Sequence, residues 1–119
     1  MGTSAQQKSD GLQVRDLLFF DNLALYYVFE NTPPRVLGRA FNCTDGRLSG
    51  SLLGLMNPKQ RETVHAFMIM ENDDNESKNA DAIQALTIIA RDLLDRGFIR
   101  KQGLHYYGTP GTESLQSLS

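Results

Sequence analysis

The stretch from residue 80 to residue 97 constrains this chain most. Ala82, Ile83, Leu86, Ile89, Ala90, Leu93 and Leu94 recur at helical spacing and make one broad apolar stripe, with Gln84, Thr87, Arg91 and Asp95 opposite. A helix that long with such a stripe must be covered by neighbouring elements. Its expected start is Asn79 or Ala80, capped by Asn79 or by a box of Asp81 and Gln84. Its expected end is Arg96, with Gly97 closing the C-terminus in the left-handed conformation. Ile88 breaks the pattern, being apolar in the polar sector. Either a second neighbour covers it or it is a contact site.

The neighbours are legible upstream. A first helix is expected from Asp21 to Glu30, with Leu23, Tyr26 and Tyr27 sharing one face, before Asn31-Thr32-Pro33-Pro34 stops it. A second runs from Pro34 to Phe41, with Val36, Leu37, Ala40 and Phe41 inward. After the turn at residues 42–46, capped by Thr44 or Asp45, a third runs from Gly46 to Met56. Its glycines, Gly46, Gly50 and Gly54, each cost roughly 1 kcal/mol relative to alanine. Their spacing by four would allow a neighbouring helix to approach closely. Asn57 followed by Pro58 marks the start of a fourth helix, extending to Met70. Residues 71–78 then read as a solvated polar linker.

These elements define an all-α fold, with one strand candidate between Gly97 and Gly108. The chain of 119 residues suits one domain, and its 40% apolar content can build a core. The expected organisation is a leader or linker over 1–13, a helical domain over 14–103 and a flexible tail over 104–119. A net charge of −2 offers no field for nucleic acid or an anionic membrane. The fifth helix sets Arg91 and Arg96 against Asp81, Asp92 and Asp95, which disfavours phosphate binding by a winged-helix arrangement with residues 97–103 as the wing. No apolar run approaches the roughly 20 residues of a membrane span. A single cysteine, Cys43, suits a reducing, cytoplasmic setting.

Little here can carry catalysis. His65 and His105 lack carboxylates or cysteines at ligand spacing, and no basic group stands beside Cys43 in sequence to activate it. A calcium loop of about twelve residues starting at Asp73 would put Lys78 where glycine is required and Gln84 where the bidentate glutamate belongs. The glycines at 46, 50 and 54 follow no strand, so no phosphate-cradling loop is formed. The chain is therefore expected to be no enzyme and to need no cofactor or metal. The run Ala66-Phe67-Met68-Ile69-Met70 is more informative, because a helix cannot hide five consecutive apolar residues against one neighbour. Either other chain covers them, such as residues 104–107, or part of the run is a contact patch, with Phe67 as an expected contact residue.

Several motifs in fixed order resemble the C-terminal domain of the flagellar motor switch protein FliG. Residues 85–99 (ALTIIARDLLDRGFI) are similar to that family's last long helix, where an apolar run leads into Ile-Ala/Val-Arg-x-Leu, a charged pair, Gly and an apolar residue. Leu53-x-x-Met56-Asn57 resembles its Leu-x-Asn-Met-Ser, Val36-Leu37-x-x-Ala40-Phe41 its Leu-x-x-Ala-Leu, and Asp16-Leu17 with Asp21 its Glu-Asp-Leu opening. The alignment runs from about Val14 to Ile99 without insertion or deletion. The resemblance implies a compact armadillo-like domain on the rotor side of the switch, at the cytoplasmic base of the motor. It also implies a ring or homo-oligomer, and torque or switching through contact with the stator protein MotA or other switch-ring components.

Of the family's charged ridge, the basic residue after Met-Ser is matched by Lys59 or nearby Arg61, and a charge-dependent contact would have to be rebuilt from Lys59, Arg61, Glu62 and Lys78. Asn42 replaces its turn lysine, Ala66 and Phe67 its acidic pair, and Asn75 its loop arginine. The expected partner-binding residues are thus Lys59, Arg61, Glu62, Phe67, Lys78 and Ile88. The alternative is a helical-repeat adaptor or chaperone-like module outside motility.

Overall fold

The computed structural model describes residues 12–110. A 3-10 helix over Val14–Phe19 buries Leu17 and leads into α1, Asn22–Glu30. Asp21 caps α1 by accepting from the Ala24 N–H at 2.9 Å, and the same oxygen accepts from the Gly108 N–H at 3.0 Å. One carboxylate therefore starts a helix and ties it to the far end of the chain. α1 is the central element: Ala24, Leu25, Tyr27, Val28 and Phe29 are all buried. Tyr26, expected on the inner face with Tyr27, is instead exposed. A helix packed on several sides buries a wider arc, shifted from the one that three apolar residues suggest.

α2 spans Pro34–Asn42, α3 Gly46–Gly54, α4 Pro58–Met70 and α5 Glu76–Asp95. α4 opens on a reciprocal box, the Gln60 N–H donating to Asn57 Oδ1 at 2.8 Å and the Asn57 N–H to Gln60 Oε1 at 2.9 Å. α5 begins earlier than expected. Asn75 caps it through the Lys78 N–H at 3.0 Å, so residues 76–78 of the supposed linker are helical. Asn79 is not a cap because its side-chain oxygen accepts from Arg39 at 2.8 Å. Gly97 closes the helix with φ +84°, as its position predicts.

The core joins Tyr27, Val28, Leu37, Leu48, Leu52, Leu86, Leu93 and Ile99. α2 lies against both α4 and α5. The close approach expected at the glycines of α3 occurs elsewhere. A Cβ at Gly46, Gly50 or Gly54 would meet nothing within 4 Å, whereas one at Gly38 of α2 would lie 2.7 Å from Phe67 Cβ and 2.9 Å from the Met68 nitrogen. α2 and α4 thus pack almost backbone to backbone at Gly38.

A hairpin of β1, Ile99–Gln102, and β2, His105–Gly108, completes the fold. It is antiparallel, pairing Ile99 with Gly108 and Gln102 with His105 across the turn at Gly103 and Leu104, with Gly103 at φ +64°. The boundary expected after residue 103 therefore falls inside the hairpin. Tyr106 is buried against Phe20, with ring centroids 4.7 Å apart, and the Tyr27 hydroxyl donates to the Thr109 carbonyl at 2.8 Å. Among the described residues the molecule is mostly helical with this small sheet.

Candidate partner-binding surface

The helices bring together an ion-pair node that sequence reasoning missed. Arg39, on the inner side of α2, is only 5% exposed. Its Nε donates to Glu71 Oε1 at 2.9 Å, Nη1 to Asp73 Oδ1 at 2.9 Å and Asn79 Oδ1 at 2.8 Å, and Nη2 to Asp73 Oδ2 at 3.0 Å. Arg35, one turn earlier, reaches the other Glu71 oxygen at 2.8 Å. A buried guanidinium requires this degree of satisfaction. The hydrogen bond from Arg39 holds the Asp73 carboxyl well down, at about 2. The same bond to Asp73 keeps Arg39 charged against the opposing cost of burial. The node clamps the α4–α5 loop onto α2 and leaves Arg39 no donor for a ligand. Its sequence signal is a pair of arginines at i and i+4 on one helix and two acids in a downstream loop. Spacing alone does not reveal that they meet.

The clamp fixes one side of α4 and leaves the other bare. α4 rests chiefly on α2, and Val64 is its only buried residue. The outer side carries Lys59, Glu62, His65, Ala66 and Ile69, which together line a shallow shelf with Pro58 and Arg61. Ile69 is 79% exposed. Lys59 also borders a groove of about 420 Å³ beneath the N-terminal half of α4. The groove's floor is Phe29, Leu37, Met56 and Val64, and Glu30 and Gln60 stand at its rim.

The expected contact residues do not all share this surface. Lys59, Arg61 and Glu62 do, although Arg61 donates to the Met56 carbonyl at 2.7 Å and so anchors the turn into α4. Phe67 is half-buried, packed on Gly38 with the Arg35 guanidinium 5.0 Å above its ring. Lys78 lines a separate groove of about 400 Å³ with Arg35, Glu71 and Asp81. Ile88 is 58% exposed and lies beside Leu12 on the outer side of α5. The apolar run in α4 is therefore divided: Phe67 and Met68 turn inward, Ile69 and Met70 outward. Residues 104–107 do not cover it, because they pack beside Phe20 and α1.

His65 is exposed on the shelf. Burial pushes the Cys43 thiol up, only partly opposed by the charge of Arg39. Among the described residues no group of three His, Cys, Asp or Glu side chains could hold a metal ion. No helix there is long and apolar enough to cross a membrane. No protein-family model, curated protein or solved structure matches this chain.

Proposed function

We propose that this chain is a non-enzymatic protein–protein interaction domain, a divergent relative of the armadillo-like FliG C-terminal domain. In this reading it acts in the cytoplasm on the rotor side of the flagellar motor switch, against MotA or another switch-ring component. The order and spacing of the motifs between Val14 and Ile99 support the family. One observation supports the mode of action: α4 is anchored on one side only, and its outer face presents Ile69 between charged and polar neighbours. An apolar centre with a polar rim is the usual anatomy of a protein contact. Where the family has an acidic pair, this chain has Ala66 and Phe67. The contact is accordingly more apolar and less dependent on charge.

Site-specific photo-crosslinking tests the reading in cells. A benzoyl-phenylalanine in place of His65, which is exposed on the shelf, should capture a switch-ring or stator protein. The same probe in place of Gln84, exposed on α5, should not. Capture from position 84 alone, or of no motor component from either position, would contradict it.

A further inference from the structure

The methionine sulfurs are divided between buried and open positions. Of the four methionines, Met1 lies outside the described residues. Met56, in the turn before α4, is 4% exposed and belongs to the core. Met68 is half-buried and packs against that core. Met70, the last residue of α4, is 61% exposed and stands next to the more exposed Ile69. Ala66, three and four residues back, is exposed on the same side, so the outer side of α4 ends in three apolar residues. Met70 is open without being loose. The Glu71 N–H donates to the Phe67 carbonyl at 2.8 Å, and the Glu71 carboxylate is held by both Arg35 and Arg39. The backbone that carries the thioether is therefore fixed beside Ile69.

A thioether has no ionisation state to tune, so access governs its reaction with peroxide. The Sδ atom attacks one oxygen of hydrogen peroxide and the O–O bond breaks. After proton transfer the products are the sulfoxide and water; sulfur has given up two electrons and peroxide has taken them. A flexible apolar side chain thereby gains a strongly polar S–O group. At Met56 or Met68 that group would enter packed surroundings, where an unpaired polar atom costs stability. At Met70 water solvates it, so the domain keeps its fold and only its surface changes.

We propose that Met70 is a peroxide-modification site, and that its sulfoxide switches the exposed end of α4 from apolar to polar while the fold stays intact. The consequence for binding rests on the functional reading above: where Ala66, Ile69 and Met70 form the apolar part of a contact, oxidation weakens it. Dithiol-dependent reductases return methionine sulfoxide to the thioether, the oxygen leaving as water and the dithiol as its disulfide, so the change is reversible.

The test treats the full chain with hydrogen peroxide, in a Cys43→Ser background so that no thiol competes. Fragment-ion mass spectrometry follows each methionine separately. Met70 should be oxidised about tenfold faster than Met56, and faster than Met68. The chain oxidised at Met70 should melt at the same temperature as the untreated chain and elute earlier from a hydrophobic-interaction column. Treated Met70→Leu should show no such change in retention, which separates Met70 from Met1. Untreated Met70→Gln, with a polar group of similar length, should elute early. Oxidation of Met56 or Met68 as fast as Met70 would overturn the proposal. So would a fall in melting temperature on oxidation of Met70 alone, or retention unchanged by it. None of these readouts needs a partner, so failure of the motor components to bind counts against the functional reading alone. A partner that binds the chain oxidised at Met70 as tightly as the untreated one would overturn the consequence for binding.

Discussion

At the scale of single residues, the Arg39 node is where charge determines structure. Removing one partner of a buried, multiply bonded cation leaves the rest unsatisfied. Arg39→Ala should therefore lower the melting temperature by more than Arg35→Ala does, since Arg35 is largely exposed and holds Glu71 alone. Calorimetry on the two variants decides this. The node also sets an acid limb. Asp73 in the folded chain titrates at about 2, below the roughly 3.9 of a free aspartate. Its contribution is fully present above about pH 4 and is lost as pH falls toward 2. An Asp73→Asn variant should thus be less stable than wild type at neutral pH, with the gap narrowing through that window; a constant gap would contradict the assignment. None of this was legible beforehand. Loop residues 71–78 have a solvated composition, and only the tertiary arrangement shows that Glu71, Asp73 and Asn79 converge on one guanidinium.

At the scale of elements, most helices were legible because their starts are chemically marked. Asp45 and Asn57 cap as their sequence context indicates, Asp21 caps α1 one residue before the helix rather than opening it, and Gly97 terminates α5. The start of α5 was displaced because two asparagines were available and the one at 79 is used by Arg39. The glycines of α3 depart from expectation for a related reason: spacing shows where close approach is permitted, not where a neighbour arrives. Two substitutions expose the difference. Gly38→Ala forces a methyl into the backbone of α4 and should cost about 1–3 kcal/mol. Gly50→Ala meets open space within a helix and should stabilise by about 0.4–1 kcal/mol. Leu86→Ala, in the stripe that defined α5, should cost roughly 2–5 kcal/mol, because Leu86 is fully buried. Chemical denaturation measures all three.

For the molecule as a whole, the consequence is a division of faces. α1 is enclosed, α2 joins α4 and α5, and the hairpin seals the end of α1, so α4 is left with an outer side that nothing in the described residues covers. The apolar run in α4 is legible in the sequence, with Phe67 as its expected contact residue. Which members of a continuous run face outward depends on the angle at which α4 meets Gly38, and that is a property of packing. Phe67→Asp would therefore disturb the α2–α4 joint, and Ile69 is the residue that tests contact. Covering an isoleucine is worth roughly 1.5–3 kcal/mol, against less than about 1 kcal/mol for an exposed charge. The decisive measurement is a titration of the full chain with purified switch-ring components and the cytoplasmic part of MotA, comparing wild type, Ile69→Lys and Lys59→Glu at matched helical content. The account predicts that one of these partners binds and that Ile69→Lys weakens it by about tenfold or more, with a smaller effect from Lys59→Glu. Binding unchanged by Ile69→Lys but abolished by Lys59→Glu, or no binding by any of these partners, would contradict it.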